Sequence, residues 1–175
     1  MENFDKIFEL MQISFPENEF RTYENQKKLL KNPSYNIITK VDSDNNVVAF
    51  LAFWSLENFN FIEHLAVNTN FRGKGTGTKI VSEFINSNKE KPIILEIEPP
   101  CDVISKKRLK FYEKLGFKLN NYEYFQPPLR ENSKPYKLNI MSYPEKLNPK
   151  EFNEIKAAIH SNVYNCRIWG FFNAS

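Results

Sequence analysis

Apolar residues recur every three or four positions in several stretches of the chain, which is the spacing of one face of an α-helix. Residues 4–14 carry such a stripe, and Pro16 ends it. Near the other end, Asn148 and Pro149 supply a helix cap and a first-turn proline before another stripe. Helices are predicted over residues 4–14, 22–31, 78–88 and 102–115, and from residue 149 onward.

Short runs of β-branched and aromatic residues lie between these helices and predict strands. A turn cluster at residues 42–46 separates two such runs and indicates a hairpin. Strands are predicted over residues 35–41, 47–54, 60–67, 92–97, 122–126 and 136–141. Two helices, a hairpin-built sheet, two strand–helix units and a closing hairpin together predict a mixed α/β layer structure.

Length and composition narrow the class of protein. The chain has 175 residues, is 41% hydrophobic and has a net charge of +3, which is too small to indicate nucleic-acid binding. No run approaches the roughly 18 apolar residues that span a bilayer, and the first residues lack a secretory signal. Cys101 and Cys166 lack metal-ligand spacing. We expect one domain over residues 1–175 in a reduced cytoplasm, with no metal, nucleic acid or membrane as partner.

A glycine-rich run, Arg72-Gly73-Lys74-Gly75-Thr76-Gly77, separates the strand ending at Val67 from the helix predicted to begin at Thr78. Glycines let several backbone amides turn toward one point at a helix N-terminus, where a phosphate can bind. The P-loop and dinucleotide patterns are both absent. The remaining pattern, R-x-x-G-x-G, fits either a phosphate site or a glycine-rich surface turn.

Two segments resemble signature motifs of the GNAT superfamily of acyl-CoA N-acyltransferases. The first contains the glycine run and reads FIEHLAVNTNFRGKGTGTKIVSEFI; the second, residues 111–117, reads FYEKLGF and resembles F-Y-x-x-x-G-F. The resemblance implies an α/β (α+β) fold with a mixed, mostly antiparallel central sheet flanked by helices, whose central strands splay apart. It also implies acetyl-CoA as the cosubstrate.

In the family, backbone amides of the R-x-x-G-x-G run bind the CoA pyrophosphate, and strand backbone near the splay pairs with pantetheine. The chain departs from the family at Ser105, where many members have an asparagine that contacts pantetheine. Lys107 and Arg108 either meet phosphates or form a solvated basic face. The expected cofactor-binding residues are Leu65, Ala66, Val67, Arg72, Gly73, Lys74, Gly75, Thr76, Gly77, Thr78, Ser105, Lys107 and Arg108.

Acyl transfer to an amine needs a proton acceptor, because alkylamines are protonated at neutral pH. Strand alternation places Glu63 on one face with Leu65 and Val67, and places His64 on the opposite face. A carboxylate on an apolar face needs a partner, water or a substrate cation. Glu63 is therefore the predicted base or amine anchor, with structural pairing to an Arg or Lys as the alternative. His64 titrates near neutral pH and is the second candidate base, but it is expected to pack under a helix.

Tyr112 falls where the resemblance implies the tyrosine that protonates the departing thiolate. A phenol retains its proton at neutral pH and can donate it. The alternative is an aromatic side chain of the core.

The acceptor side is expected to be acidic, because Glu96 and Glu98 share a strand face near Glu63. By analogy with the family, loop and hairpin residues complete the pocket. The expected substrate-binding residues are Glu19, Arg21, Glu96, Glu98, Tyr124 and Gln126.

The sequence thus predicts an N-acetyltransferase that moves an acetyl group to a primary amine by direct attack in a ternary complex. The acceptor is a small molecule or a peptide. The alternative is a non-catalytic acyl-CoA-binding or sensor module. A homodimer is a further expectation, since the apolar segment 168–172 can pack on the core or on a partner.

Overall fold

A computed structural model describes residues 3–131 and 133–165. The segment 168–172 and Cys166 therefore lie outside the described residues. The helices are α1 (Phe4–Ser14), α2 (Tyr23–Leu29), α3 (Thr76–Ser87), α4 (Val103–Lys114) and α5 (Pro149–Asn162). The strands are β1 (Tyr35–Val41), β2 (Val47–Ser55), β3 (Asn60–Val67), β4 (Ile93–Ile97), β5 (Lys118–Gln126) and β6 (Tyr136–Tyr143).

Local sequence explains where the helices begin. Asn148 accepts from the Glu151 amide, and Glu151 reaches back to the Asn148 amide, so a capping box opens α5. Asp102 and Ser105 form the same reciprocal pair at the start of α4. Most elements match their predicted bounds within two residues, and β5 begins four residues earlier than predicted.

The six strands form one sheet in the order β1-β2-β3-β4-β6-β5. Neighbouring strands are antiparallel except β3 and β4, which are parallel. One apolar cluster packs α1 and α5 on one face of the sheet, and a second packs α3 and α4 on the other. The predicted mixed, mostly antiparallel sheet flanked by helices is confirmed.

β3 and β4 part soon after they begin. Their pairing covers Asn60 with Ile93, Phe61 with Ile94 and Ile62 with Leu95, and then ends. On its other side β4 stays paired with β6 as far as Ile97. The splay thus opens between β3 and β4 from Glu63 and Glu96 onward.

A β-bulge in the β2–β3 pair changes which side chains share a face. Ala52 lies opposite His64 and Phe53 lies opposite Ile62, so Glu63 is an extra residue with no partner position on β2. The predicted strict alternation is therefore wrong beyond Glu63. The bulge turns His64 to the same side as Glu63, the side that carries α1 and α5.

The described residues contain neither a membrane-spanning helix nor a cluster of metal-ligating side chains. No helix among them has the length and apolar character to cross a bilayer. No group of three or more His, Cys, Asp or Glu side chains among them is arranged to hold a metal ion.

Candidate active site

The parting of β3 and β4 opens a cleft of about 880 Å³. It extends from the glycine-rich loop, past the splayed strand ends, to Phe15 at the end of α1. The wall on one side is β3 from Ile62 to Val67, and the wall on the other is β4 with α4. One continuous cavity thus joins the predicted cofactor side to the predicted acceptor side.

The glycine loop has the geometry that a phosphate site needs. Gly73 and Gly75 adopt left-handed backbone conformations, with φ of 74° and 79°, and Gly75 is the N-cap of α3. The backbone amide of Lys79 donates to the Gly75 carbonyl (2.9 Å), and this is the first hydrogen bond of the helix. The backbone amides of residues 76–78, in the first turn of α3, therefore have no acceptor inside the helix. All three residues line the cleft, so these amides are available to a phosphate there.

The basic residues near this loop differ in what they touch. Arg72 lines the cleft and donates from Nε to the Val67 carbonyl (2.9 Å), which ties the loop to the end of β3. Lys74 lies over the Phe71 ring and does not line the cleft. Lys107 lines the cleft from α4.

Ser105 and Arg108, both predicted to meet the cofactor, are already engaged by other residues. The Ser105 hydroxyl accepts from the Asp102 amide (3.1 Å) within the α4 cap, and Ser105 is buried away from the cleft lining. Arg108 lines the cleft but is hydrogen-bonded to Glu98. The positive charge of Arg108 is therefore balanced by the carboxylate of Glu98, a residue predicted to bind the acceptor.

Tyr112 lines the cleft from the last turn of α4. It is buried and packs edge-to-face on Phe111 and Phe117, at 5.0 and 5.5 Å between ring centroids. No hydrogen bond joins its hydroxyl to another described residue. Burial, only partly offset by the Arg108 charge, raises the pKa of Tyr112 to about 12, so the hydroxyl is protonated at neutral pH.

Glu63 lines the cleft, but its carboxylate accepts hydrogen bonds from two residues outside the cleft lining. Arg21 donates from Nη1 to Oε1 (2.6 Å) and Trp54 donates from Nε1 to Oε2 (3.1 Å). The Glu63 side chain is only 3% exposed. Burial alone would raise its pKa, but the Arg21 charge and these two hydrogen bonds outweigh burial and lower the pKa of Glu63.

His64 lies beside Glu63 because of the bulge. Its Nε2 is 2.9 Å from the Glu19 carbonyl, which can only accept, so Nε2 carries a hydrogen. Its Nδ1 lies 3.8 Å from Glu63 Oε2. Burial, opposed by the Glu63 charge, lowers the pKa of His64, and the neutral ring anchors the Glu19 segment to β3.

Glu96 faces the cleft where β4 leaves β3, and it has a different environment from Glu63. Tyr164 donates its hydroxyl to Glu96 Oε2 (2.7 Å), and Tyr124 donates to Oε1. Burial outweighs these two hydrogen bonds and raises the pKa of Glu96 to about 7. A carboxyl group that titrates near neutral pH can accept a proton and release it again.

The acceptor end of the cleft is rimmed by polar side chains. Glu19 lines it, and burial together with the nearby Glu98 charge raises the pKa of Glu19 to about 7. Gln126 also lines it, is 5% exposed, and has no side-chain hydrogen bond to another described residue. This end therefore combines carboxyl groups with an amide that is available to a ligand.

Most of the predicted residues converge on this one cavity. Its lining includes Glu63, Tyr112, Leu65, Ala66, Val67, Arg72, Gly73, Gly75, Thr76, Gly77, Thr78, Lys107, Arg108, Glu19, Glu96, Glu98 and Gln126. The lining does not include Lys74, Ser105, Arg21 and Tyr124. Arg21 and Tyr124 instead stand behind it, on Glu63 and Glu96 respectively.

Sequence reasoning missed Trp54 and Tyr164, and it placed His64 on the face of β3 opposite Glu63. The bulge that recruits His64 leaves no mark in the hydrophobic pattern. Tyr164 follows the last turn of α5, about seventy residues beyond the carboxylate that it contacts. Only the packing of α5 against the sheet could reveal that contact.

Known proteins were compared with the chain. Residues 34–119 match the family model "Acetyltransferase (GNAT) domain". "Putative acetyltransferase YjbC" of Bacillus subtilis (strain 168) is 33% identical over 113 residues, covering 63% of this chain but only 56% of that relative. A "Putative acetyltransferase from GNAT family" of Bacteroides thetaiotaomicron superposes with a TM-score of 0.84 at 27% identity, covering 93% and 92% of the two chains.

A GNAT family acetyltransferase from Elizabethkingia anophelis, solved with acetyl-CoA bound, shares the fold. Its TM-score is 0.55 at 16% identity, with 77% of this chain and 88% of that chain covered. The family match, the relative and the shared architecture agree with the motifs and the parted strands. The chain is therefore similar to GNAT acetyltransferases both in the sequence of residues 34–119 and in fold.

Proposed function

We propose that the protein is an acetyl-CoA-dependent N-acetyltransferase that acts on a primary amine by direct attack in a ternary complex. The observation that carries this proposal is the parting of β3 and β4 between the glycine loop and Glu96. It gives one cavity with a phosphate-binding end, an acidic end and a protonated phenol between them.

The residues on the cofactor side fit acetyl-CoA. The amides at residues 76–78 would hold the pyrophosphate. Beyond Ile62, no strand within residues 3–131 and 133–165 pairs with β3 on its β4 side, so backbone groups of Leu65 and Val67 can pair with the amides of pantetheine. Acetyl-CoA supplies the acetyl thioester.

We assign the proton-accepting role to Glu96 rather than to Glu63. Glu63 is held by Arg21 and Trp54, and its lowered pKa makes it a weak base. Glu96 titrates near pH 7, where a base is most effective at neutral pH. The bound ammonium group would first lose one proton to water. Glu96, directly or through water, would take a second proton as the nitrogen bonds to the acetyl carbon and the thioester C–S bond breaks. Tyr112 would give its proton to the departing CoA sulfur and regain one from solvent.

The acceptor end favours a cationic amine before the reaction. Glu19 and Glu98 lie near each other at the mouth, and Gln126 offers an amide to other polar groups of the acceptor. Carboxylates attract an ammonium group over several ångströms. The substrate class is therefore a small molecule or peptide that presents a primary amine.

The test is an amine panel assayed for CoA thiol release, with Glu96→Gln, Tyr112→Phe and the exposed control Glu123→Gln. We expect turnover with at least one amine, and a fall of about 10²–10⁴-fold in kcat for Glu96→Gln. Glu123→Gln should match the wild type. Tight acetyl-CoA binding with background thiol release across the panel would instead identify a binding module.

A further inference from the structure

Both oxygens of the Glu96 carboxylate accept a hydrogen bond from a phenol, and the two phenols come from different parts of the fold. Tyr124 on β5 donates to Oε1. Tyr164, two residues beyond the end of α5, donates to Oε2 (2.7 Å). The carboxylate is thus fixed between the sheet and the end of the last described helix.

The turn that carries Tyr164 is itself tied to the site. Arg21 donates from Nη2 to the Val163 carbonyl (2.7 Å) while its Nη1 holds Glu63 (2.6 Å). The Arg21 guanidinium also lies over the Tyr164 ring, 5.9 Å from the centroid. Val163 is buried in the core, so the position of Tyr164 does not depend on Glu96 alone.

We propose that Tyr164 is a positioning residue, which holds Glu96 in the orientation and the protonation balance that it needs to accept the proton of the acceptor amine. This inference rests on the role given to Glu96 in the proposed function. It adds the end of α5 to the catalytic apparatus, although Tyr164 does not line the cleft.

The groups that face Glu96 determine the sign of the effect. Burial and the Glu63 charge on β3 favour the protonated carboxyl, whereas the two phenols and the Arg21 charge favour the carboxylate. Tyr164→Phe removes one donor and keeps the ring. The pKa of Glu96 should therefore rise, by about one unit for the loss of one charge-assisted hydrogen bond.

The consequence for catalysis is a shift in pH dependence. The rising limb of the kcat–pH profile should move to higher pH by the same amount, so that turnover at pH 7 falls severalfold. The KM for acetyl-CoA should not change, because Tyr164 is not among the residues that line the cleft. If Tyr164 had a purely structural role, Tyr164→Phe would lower the stability of the protein without shifting the rising limb of the kcat–pH profile.

The decisive experiment is a ¹³C NMR titration of glutamate side-chain carboxyls in the full chain, with Glu96→Gln assigning the Glu96 signal. Tyr122→Phe is the matched control, because Tyr122 also contacts α5, stacking on Phe152 at 4.5 Å, but donates to the Leu147 carbonyl (3.0 Å). We expect the Glu96 titration to move upward in Tyr164→Phe and to stay in place in Tyr122→Phe.

An unchanged Glu96 titration in Tyr164→Phe would overturn the inference. If that variant does not fold, the wild-type Tyr164 ring carbon that bears the hydroxyl serves as the probe. Its resonance should inflect at the pH at which Glu96 titrates, and a flat curve would also refute the contact. If the Glu96 titration shifts but the protein acetylates no amine, the contact between Tyr164 and Glu96 is supported and the proposed function is refuted.

Discussion

Two glutamates of the cleft pair with arginines at different depths. The Arg21–Glu63 side chains are 9% and 3% exposed, whereas the Arg108–Glu98 side chains are 35% and 25% exposed. Removing one partner of a buried pair leaves an uncompensated charge, but a pair screened by water contributes little. Glu63 is therefore a residue of the fold as much as of the site.

Glu63→Ala should lower the free energy of unfolding by about 3–5 kcal/mol, because Arg21 would be left buried without its carboxylate. Glu98→Ala, the matched control, should lower it by less than about 1 kcal/mol. Urea denaturation of both variants measures the difference. Equal losses would show that burial does not distinguish the two pairs.

Glu96 makes the stability of the protein depend on pH in a predictable direction. Its pKa is about 7 in the folded protein against 4.5 for an ordinary glutamate. Between these values the folded state binds the extra proton, so the free energy of unfolding falls as pH rises. Glu96→Gln cannot lose that proton.

We therefore expect wild-type stability to decline relative to Glu96→Gln from about pH 4.5 to about pH 7, and to level off above. Glu19 titrates in both proteins and cancels in the comparison. Denaturation series across this range measure the difference. A difference that is constant with pH would mean that Glu96 ionises normally in the folded state.

At the scale of elements, two glycines at the N-terminus of α3 have different roles. Gly75 is needed for its backbone conformation, whereas Gly77 is not. Gly75 has a φ of 79° and open space around its missing side chain. Gly77 lies within the first turn of α3, where an added Cβ would make ordinary contacts with Val67 (3.5 Å) and Phe111 (3.6 Å). The two positions should respond to alanine with opposite signs.

Gly75→Ala should destabilise the protein by about 1–2 kcal/mol, because an L-residue is strained in the left-handed region. Gly77→Ala should be neutral or should stabilise by up to about 1 kcal/mol, since alanine suits a helix better than glycine. Thermal or urea unfolding without ligand gives both values. A stabilised Gly75→Ala would contradict the assigned conformation.

Elements with their own local signals could be read from the sequence. The capping box fixes the start of α5, and the apolar stripe fixes α1, within one residue. The bulge at Glu63 and the environment of Glu96 could not be read, because they depend on register and on contacts far apart in the chain. The sequence therefore predicted residues that line the cleft, but it favoured Glu63 as the base, whereas the contacts of the two carboxylates led us to propose Glu96.

At the scale of the whole molecule, the parted sheet joins the glycine loop and the acidic residues in one cleft. Helices α3 and α4 pack on one face and supply the loop and Tyr112, while α1 and α5 pack on the other and support the acidic residues. The exposed thiol of Cys101 does not line the cleft. Among the residues that the structure describes, no cysteine thiol therefore lies in the cleft, which is compatible with the direct transfer proposed above.

The most direct test of this account is to follow an isotopically labelled acetyl group. The full-length protein is incubated with labelled acetyl-CoA and the amines, and small molecules and intact protein are analysed by mass spectrometry. The account predicts label in an amide product, with CoA released and the protein unlabelled. Label on the protein, or only on acetate and unreacted acetyl-CoA, would contradict it.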